Sequence, residues 1–102
     1  MVFELLEAGR PNAKTGRELA RALGCDIRTV TEQIERERRA GKPICAAMRD
    51  VPGYYLAADQ KDLQQYCRRL RRRATELNIT EQALISVIGQ LPEAEGGYNG
   101  KQ

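Results

Sequence analysis

The sequence predicts a mainly α-helical chain with one small β-hairpin: two short helices around a tight turn, the hairpin, then two C-terminal helices. Three observations predict it. Residues 15–40 (TGRELARALGCDIRTVTEQIERERRA) repeat apolar side chains at helical spacing on both sides of Gly24-Cys25-Asp26. Two short apolar runs flank the turn-forming Asp50-Val51-Pro52-Gly53. From Asp59 onward, apolar residues recur every three or four positions in a charged background.

In chain order, residues 2–8 (VFELLEA) predict a short first helix, with Val2, Phe3, Leu5 and Leu6 on its apolar side. Gly9 and Pro11 close it, and Phe3, the single phenylalanine, is expected in the core. Residues 12–14 form a connector or a very short strand. Thr15 and Glu18 then make a capping box. The threonine oxygen accepts from an early backbone N–H, and the glutamate reaches back to the threonine amide. Leu19, Ala20 and Leu23 are the inward side of this helix, and Ala20 is small enough to let a second helix backbone approach. Gly24 supplies the positive φ that ends the helix, and Asp26 caps the next one. Ile27, Val30 and Ile34 resume the period until Gly41-Lys42-Pro43 stops it. Cap, small residue, glycine turn and second cap together read as a helix-turn-helix. An ordinary helical corner is the competing reading of the same signals.

The run at residues 44–48 (ICAAM) and Tyr54-Tyr55-Leu56 are expected to be the two strands of a hairpin; an irregular loop is the alternative. Asp59 caps a helix predicted to reach about Leu77, lined by Leu63, Tyr66, Cys67, Leu70, Ala74 and Leu77. Arg68, Arg69, Arg71, Arg72 and Arg73 point mostly to its other side. Asn78 or Thr80 is expected to start another helix, one-sided through Ala83, Leu84, Val87, Ile88 and Leu91. The predicted division is therefore a domain at 1–58, a helical extension at 59–91 and a disordered Gly-rich tail at 92–102. The two stripes of the extension either complete the core of one chain or join two chains as a homodimer, which is the reading preferred here.

Composition narrows the chemistry. The 102 residues suit a single modest core, and 17 basic against 14 acidic residues give a net charge of +3. That permits nucleic-acid binding without demanding it. Histidine is absent, which removes the commonest general base and metal ligand. No paired acid and base, phosphate loop or ligand cluster stands out, so no catalytic residues, no metal and no cofactor are expected. Cys25, Cys45 and Cys67 form no C-x-x-C pair, and Cys25 and Cys67 occupy apolar positions. They read as reduced thiols packed as small hydrophobes, as in a cytoplasmic protein. No signal peptide, membrane span or small-molecule ligand domain is recognised.

With helices and hairpin placed, residues 2–58 resemble a winged helix-turn-helix of the biotin-repressor and deoxyribose-regulator type. The resemblance rests on Glu18-Leu19-Ala20, Leu23-Gly24, Arg28-Thr29-Val30, Ile34, Ala40-Gly41, Pro43-Ile44 and Gly53-Tyr54-Tyr55-Leu56. The continuation into an arginine-rich helix is similar to small prophage-encoded bacterial proteins with regulatory or replication roles. This resemblance implies sequence-specific binding of double-stranded DNA, the second helix of the motif lying in the major groove. A winged helix used only to bind another protein is the alternative.

The residues it assigns to bases are Arg28, Thr29, Thr31 and Glu32, with Arg36 on the same helix. Arg28 is expected to hold guanine O6 and N7, and Lys42 and Arg49 to hold backbone phosphates beside the hairpin. Two departures stand out. Glu37 occupies a position where the family usually buries a leucine, implying a looser helix end or a pairing with a nearby arginine. Glu32 and Glu35 lie on the face presumed to meet DNA, which lowers the affinity expected for non-specific duplex.

Overall fold

The computed structural model describes residues 1–47 and 53–94. It is mostly helical with one two-stranded antiparallel sheet, in the order expected. Helix α1 (Gly16–Leu23) begins where the capping box puts it. Glu18 N–H donates to Thr15 Oγ1 at 3.0 Å, and Thr15 N–H donates to Glu18 Oε1 at 2.8 Å. Gly24 ends it at φ 69°, the left-handed conformation that a side chain disfavours. Cys25 N–H then closes back on the Ala20 carbonyl at 3.0 Å. Helix α2 (Ile27–Arg39) starts on Asp26, whose Oδ1 accepts from Thr29 N–H at 2.8 Å. Hydrogen bonding from the Thr29 side chain, then from its N–H, holds the Asp26 carboxyl below its ordinary value.

Strand β1 (Ile44–Ala47) pairs with β2 (Gly53–Leu56), Ile44 facing Leu56 and Ala47 facing Gly53. The residues between them, Met48 to Pro52, include the expected turn and lie outside the described residues. Every residue of β1 is buried, because two apolar clusters meet at the hairpin. One gathers Val2, Leu6, Leu19, Ala20, Val30, Ile34 and Ile44. The other gathers Cys45, Ala46, Ala47, Tyr55 and Tyr66. The outer edge of β2 is also paired. Lys14 and Tyr54 exchange backbone bonds of 2.9 and 2.7 Å, an isolated bridge on the stretch expected as a connector or very short strand. This close approach defines Gly53, read from sequence as a turn residue. A Cβ there would stand 2.9 Å from that of Ala13.

The predicted first helix is not formed. Residues 3–5 make one 3-10 turn, and Leu6 is already extended. So few residues before Gly9 cannot repay helix nucleation, whereas the open edge of β2 can take their backbone groups. Leu56 N–H donates to the Glu7 carbonyl and Gly9 N–H to the Leu56 carbonyl, both at 2.9 Å. Phe3 is half-buried rather than a core residue, lying under the Lys42 ammonium at 4.6 Å. The start of this segment is held by Glu37 on α2. Its carboxylate accepts from Val2 N–H and Phe3 N–H at 2.8 Å, from Gln33 Nε2 at 2.8 Å and from the Met1 ammonium at 2.9 Å. Neither a looser helix end nor an arginine partner results.

The two predicted C-terminal helices are one helix. Helix α3 (Gln60–Ile85) runs unbroken through Asn78 and Thr80, which lack the αL glycine or proline that a stop needs. Its start matches expectation, with Asp62 N–H donating to Asp59 Oδ1 at 2.9 Å. A 3-10 turn follows at residues 88–90. The chain divides into units Met1–Arg68 and Arg69–Gln102. The first unit includes the opening turns of α3 because Tyr66 and Leu63 pack in the second cluster. Arg38 lies over the Tyr66 ring at 5.1 Å while its Nε donates to the Ile44 carbonyl at 2.9 Å. Cys67, expected to be packed, is exposed, whereas Cys45 is buried and Cys25 half-buried. From residue 70 to residue 94 every residue is exposed. Of the tail expected to be disordered, residues 95–102 lie outside the described residues.

Candidate nucleic-acid interface

Each residue of an α-helix turns the chain by about 100°. Val30, Ile34 and Glu37 therefore form one buried line on α2, and Arg28, Glu32, Glu35 and Arg39 form a second line opposite it. This second line is solvent-facing and alternates in charge. Arg28 Nε lies 3.4 Å from Glu32 Oε2, and Arg39 Nε lies 4.0 Å from Glu35 Oε1. Thr29 and Arg36 make the next row, and Thr31 lies on the other flank, all exposed. Ile27, at the start of the helix, is 47% exposed.

Of the residues assigned from sequence, Arg28, Thr29, Thr31, Glu32 and Arg36 thus share one accessible helix surface. Several of their polar groups are engaged locally. Thr31 Oγ1 donates to the Ile27 carbonyl at 3.1 Å, leaving its oxygen lone pairs for an outside donor. Arg36 Nη1 donates to Gln33 Oε1 at 2.7 Å, and Thr29 serves the Asp26 cap. Pairs between such exposed groups are worth only about 0–1 kcal/mol, so a phosphate or base edge can replace them.

Lys42 stands at the far end of α2 from Arg28. Arg28 is in the first turn of α2 and Lys42 follows its last, roughly 20 Å away at 1.5 Å of rise per residue. Its ammonium faces Phe3 instead. Arg49 lies outside the described residues. Sequence reasoning passed over Arg39, although its four-residue spacing from Glu35 was the available signal. It also passed over Arg17 and Arg21, exposed one turn apart on α1. Among the described residues, no three acidic or cysteine side chains converge as metal ligands, and no helix is long and apolar enough to cross a membrane. No protein-family model, curated protein or solved structure matches the chain.

Proposed function

We propose that this chain is a small winged helix-turn-helix protein that binds double-stranded DNA sequence-specifically through the exposed surface of α2. It acts as a transcriptional or prophage-type regulatory or replication factor in the cytoplasm, without catalysis. The observation that carries the reading is the separation of faces on one capped helix. Val30 and Ile34 fix α2 in the core, while Arg28, Thr29, Thr31, Glu32 and Arg36 remain exposed. An arginine fork matches guanine O6 and N7, and a glutamate accepts from cytosine N4. Arg28 and Glu32 thus present the two chemistries needed to read neighbouring bases.

A second reading, binding of another protein, is favoured by one observation. The line Arg28-Glu32-Glu35-Arg39 neutralises itself, which suits a mixed-charge partner as well as a polyanion. The two are separated by fluorescence anisotropy against duplexes selected from a randomised pool, with random duplex as reference. DNA binding predicts selective retention, a steep salt dependence from counterion release, and loss of discrimination in Arg28→Ala. An equal loss on both duplexes would make Arg28 a phosphate contact. Absence of any binding at micromolar protein and low salt would leave the protein-binding reading.

A further inference from the structure

We infer that the second half of α3 pairs antiparallel with the same segment of a second copy of this chain. Leu70, Leu77 and Leu84 recur at seven-residue intervals along α3, and they are 41%, 68% and 62% exposed. Ile85, Val87, Ile88 and Leu91 extend this apolar surface. A seven-residue repeat drifts by about 20° per heptad around a straight helix, and stays in line only when two helices wind around each other. Over the two intervals from Leu70 to Leu84 that drift is about 40°, so the leucines form one narrow apolar strip, which the side of another helix fits.

Charge selects which helix, and which way it runs. Residues 68–73 hold five arginines, whereas residues 74–94 hold Glu76, Glu81 and Glu93 with no lysine or arginine. Parallel pairing would set arginine block against arginine block. Antiparallel pairing about Leu77 sets Arg73 level with Glu81 of the mate and takes the two arginine blocks away from each other, and the two-fold axis repeats the contact on both sides. The helix carries both halves of its own complement. This pairing does not rest on the DNA-binding reading and is tested without DNA.

The exposed Cys67 supplies the probe. In a Cys25→Ser background with Cys45 buried, a spin label attaches at Cys67 of the full chain. Antiparallel pairing about Leu77 separates two such labels by roughly 30 Å, ten residues of helix on either side of the axis. A parallel pair holds them within about 15 Å, since they face each other at one level. Sedimentation equilibrium should show a dimer at tens of micromolar, and double electron–electron resonance should show the longer distance. Leu77→Ser, at an exposed position, should leave the unit Met1–Arg68 folded and make the chain monomeric. Glu81→Lys, which sets a lysine level with the mate's Arg73 on both sides of the axis, should raise the dissociation constant at least about tenfold, and more at low salt than at high. A chain monomeric throughout, or a dimer with the short distance, overturns the inference.

Discussion

Helix α2 carries carboxylates on both sides, and they do opposite things. The Glu37 side chain is 9% exposed and gathers Val2 N–H, Phe3 N–H, Gln33 and the Met1 ammonium. Glu32 and Glu35 are 56% and 55% exposed and each meets one arginine on its own helix. The difference lies in what water can replace. On the outer line, solvent substitutes for either partner, so the pairs are exchangeable and suit recognition. At Glu37 solvent is largely excluded, so the buried Val2 N–H left without its acceptor bears the desolvation cost, whereas the Met1 ammonium is exposed and keeps Glu4 as a partner. Helix α2 is solvent-facing along its outer line and is held on the other side partly by a charge.

The strongest way to break this contrast is to remove Glu37. Glu37→Ala should destabilise the fold by about 2–3 kcal/mol, since the backbone donors of Val2 and Phe3 and the Gln33 amide lose their acceptor. Urea titration should show a lower midpoint with an unchanged slope. A cost no larger than that of Glu32→Ala would show that burial does not separate the two sides. Acid should act in the same direction. Burial alone would raise the Glu37 carboxyl, but hydrogen bonds from Gln33, the Met1 ammonium, Val2 and Phe3 bring it from the ordinary 4.5 to about 2. The unfolded chain therefore takes up this proton first as pH falls. The associated stability is full above pH 4.5 and is lost as pH falls through about 2. Glu37→Gln should flatten that part of the stability–pH curve.

Gly53→Ala tests the opposite end of the same packing, where the segment before α1 closes on β2. The added methyl would meet the Ala13 Cβ at 2.9 Å and the Lys14 carbonyl at 3.4 Å, so the pairing of Lys14 with Tyr54 must open. A cost of about 2 kcal/mol is expected, with earlier hydrogen exchange at Lys14 and Tyr54. An effect below 0.5 kcal/mol, on the scale of ordinary surface substitutions, would mean that the edge gives way freely.

What the sequence revealed and what it hid follow one rule. Thr15, Glu18, Gly24 and Asp26 were legible because each acts within a few residues of itself, and the chemistry of a cap is local. Leu19, Val30 and Ile34 were legible through periodicity. Glu37, Gly53 and the fate of residues 2–8 were not, since each depends on a segment distant in the chain. The continuity of α3 was missed for a different reason: Asn78 is a poor helix former but not a stop, and only a glycine or proline would have decided it. At the candidate interface, the α2 positions were what the family resemblance implied, whereas the pairing of Arg28 and Arg39 with glutamates needed side-chain geometry.

The local devices set a middle scale between buried and exposed charge. Asp26→Ala should cost about 1 kcal/mol, since it removes the acceptor for Thr29 N–H at the start of α2. Gly24→Ala should cost about 1 kcal/mol, because φ 69° is strained for any side chain although nothing stands within 4 Å of the new methyl. Thermal unfolding of both variants checks these values. Loss of the Asp26 cap should also weaken whatever α2 binds, since the first turn carries Arg28 and Thr29.

The smallest expected effect on stability is the most informative about function. Glu32→Ala removes one exposed partner, held to Arg28 Nε at 3.4 Å, and should change stability by less than about 0.5 kcal/mol. Its effect on binding depends on what α2 faces. If Glu32 only restrains Arg28, its removal frees a guanidinium and lowers local negative charge, so affinity for random duplex rises and the salt slope steepens. If Glu32 accepts from cytosine N4, affinity for the selected duplex falls while that for random duplex rises, and discrimination at one base pair drops by about 1–3 kcal/mol. Glu35→Ala serves as the internal control, because Glu35 pairs with Arg39 one turn beyond Glu32 at a looser 4.0 Å. Equal behaviour of the two variants on both duplexes would reduce the outer line to a solvated ion-pair ladder. Divergence between them would place base reading in the first two turns of α2.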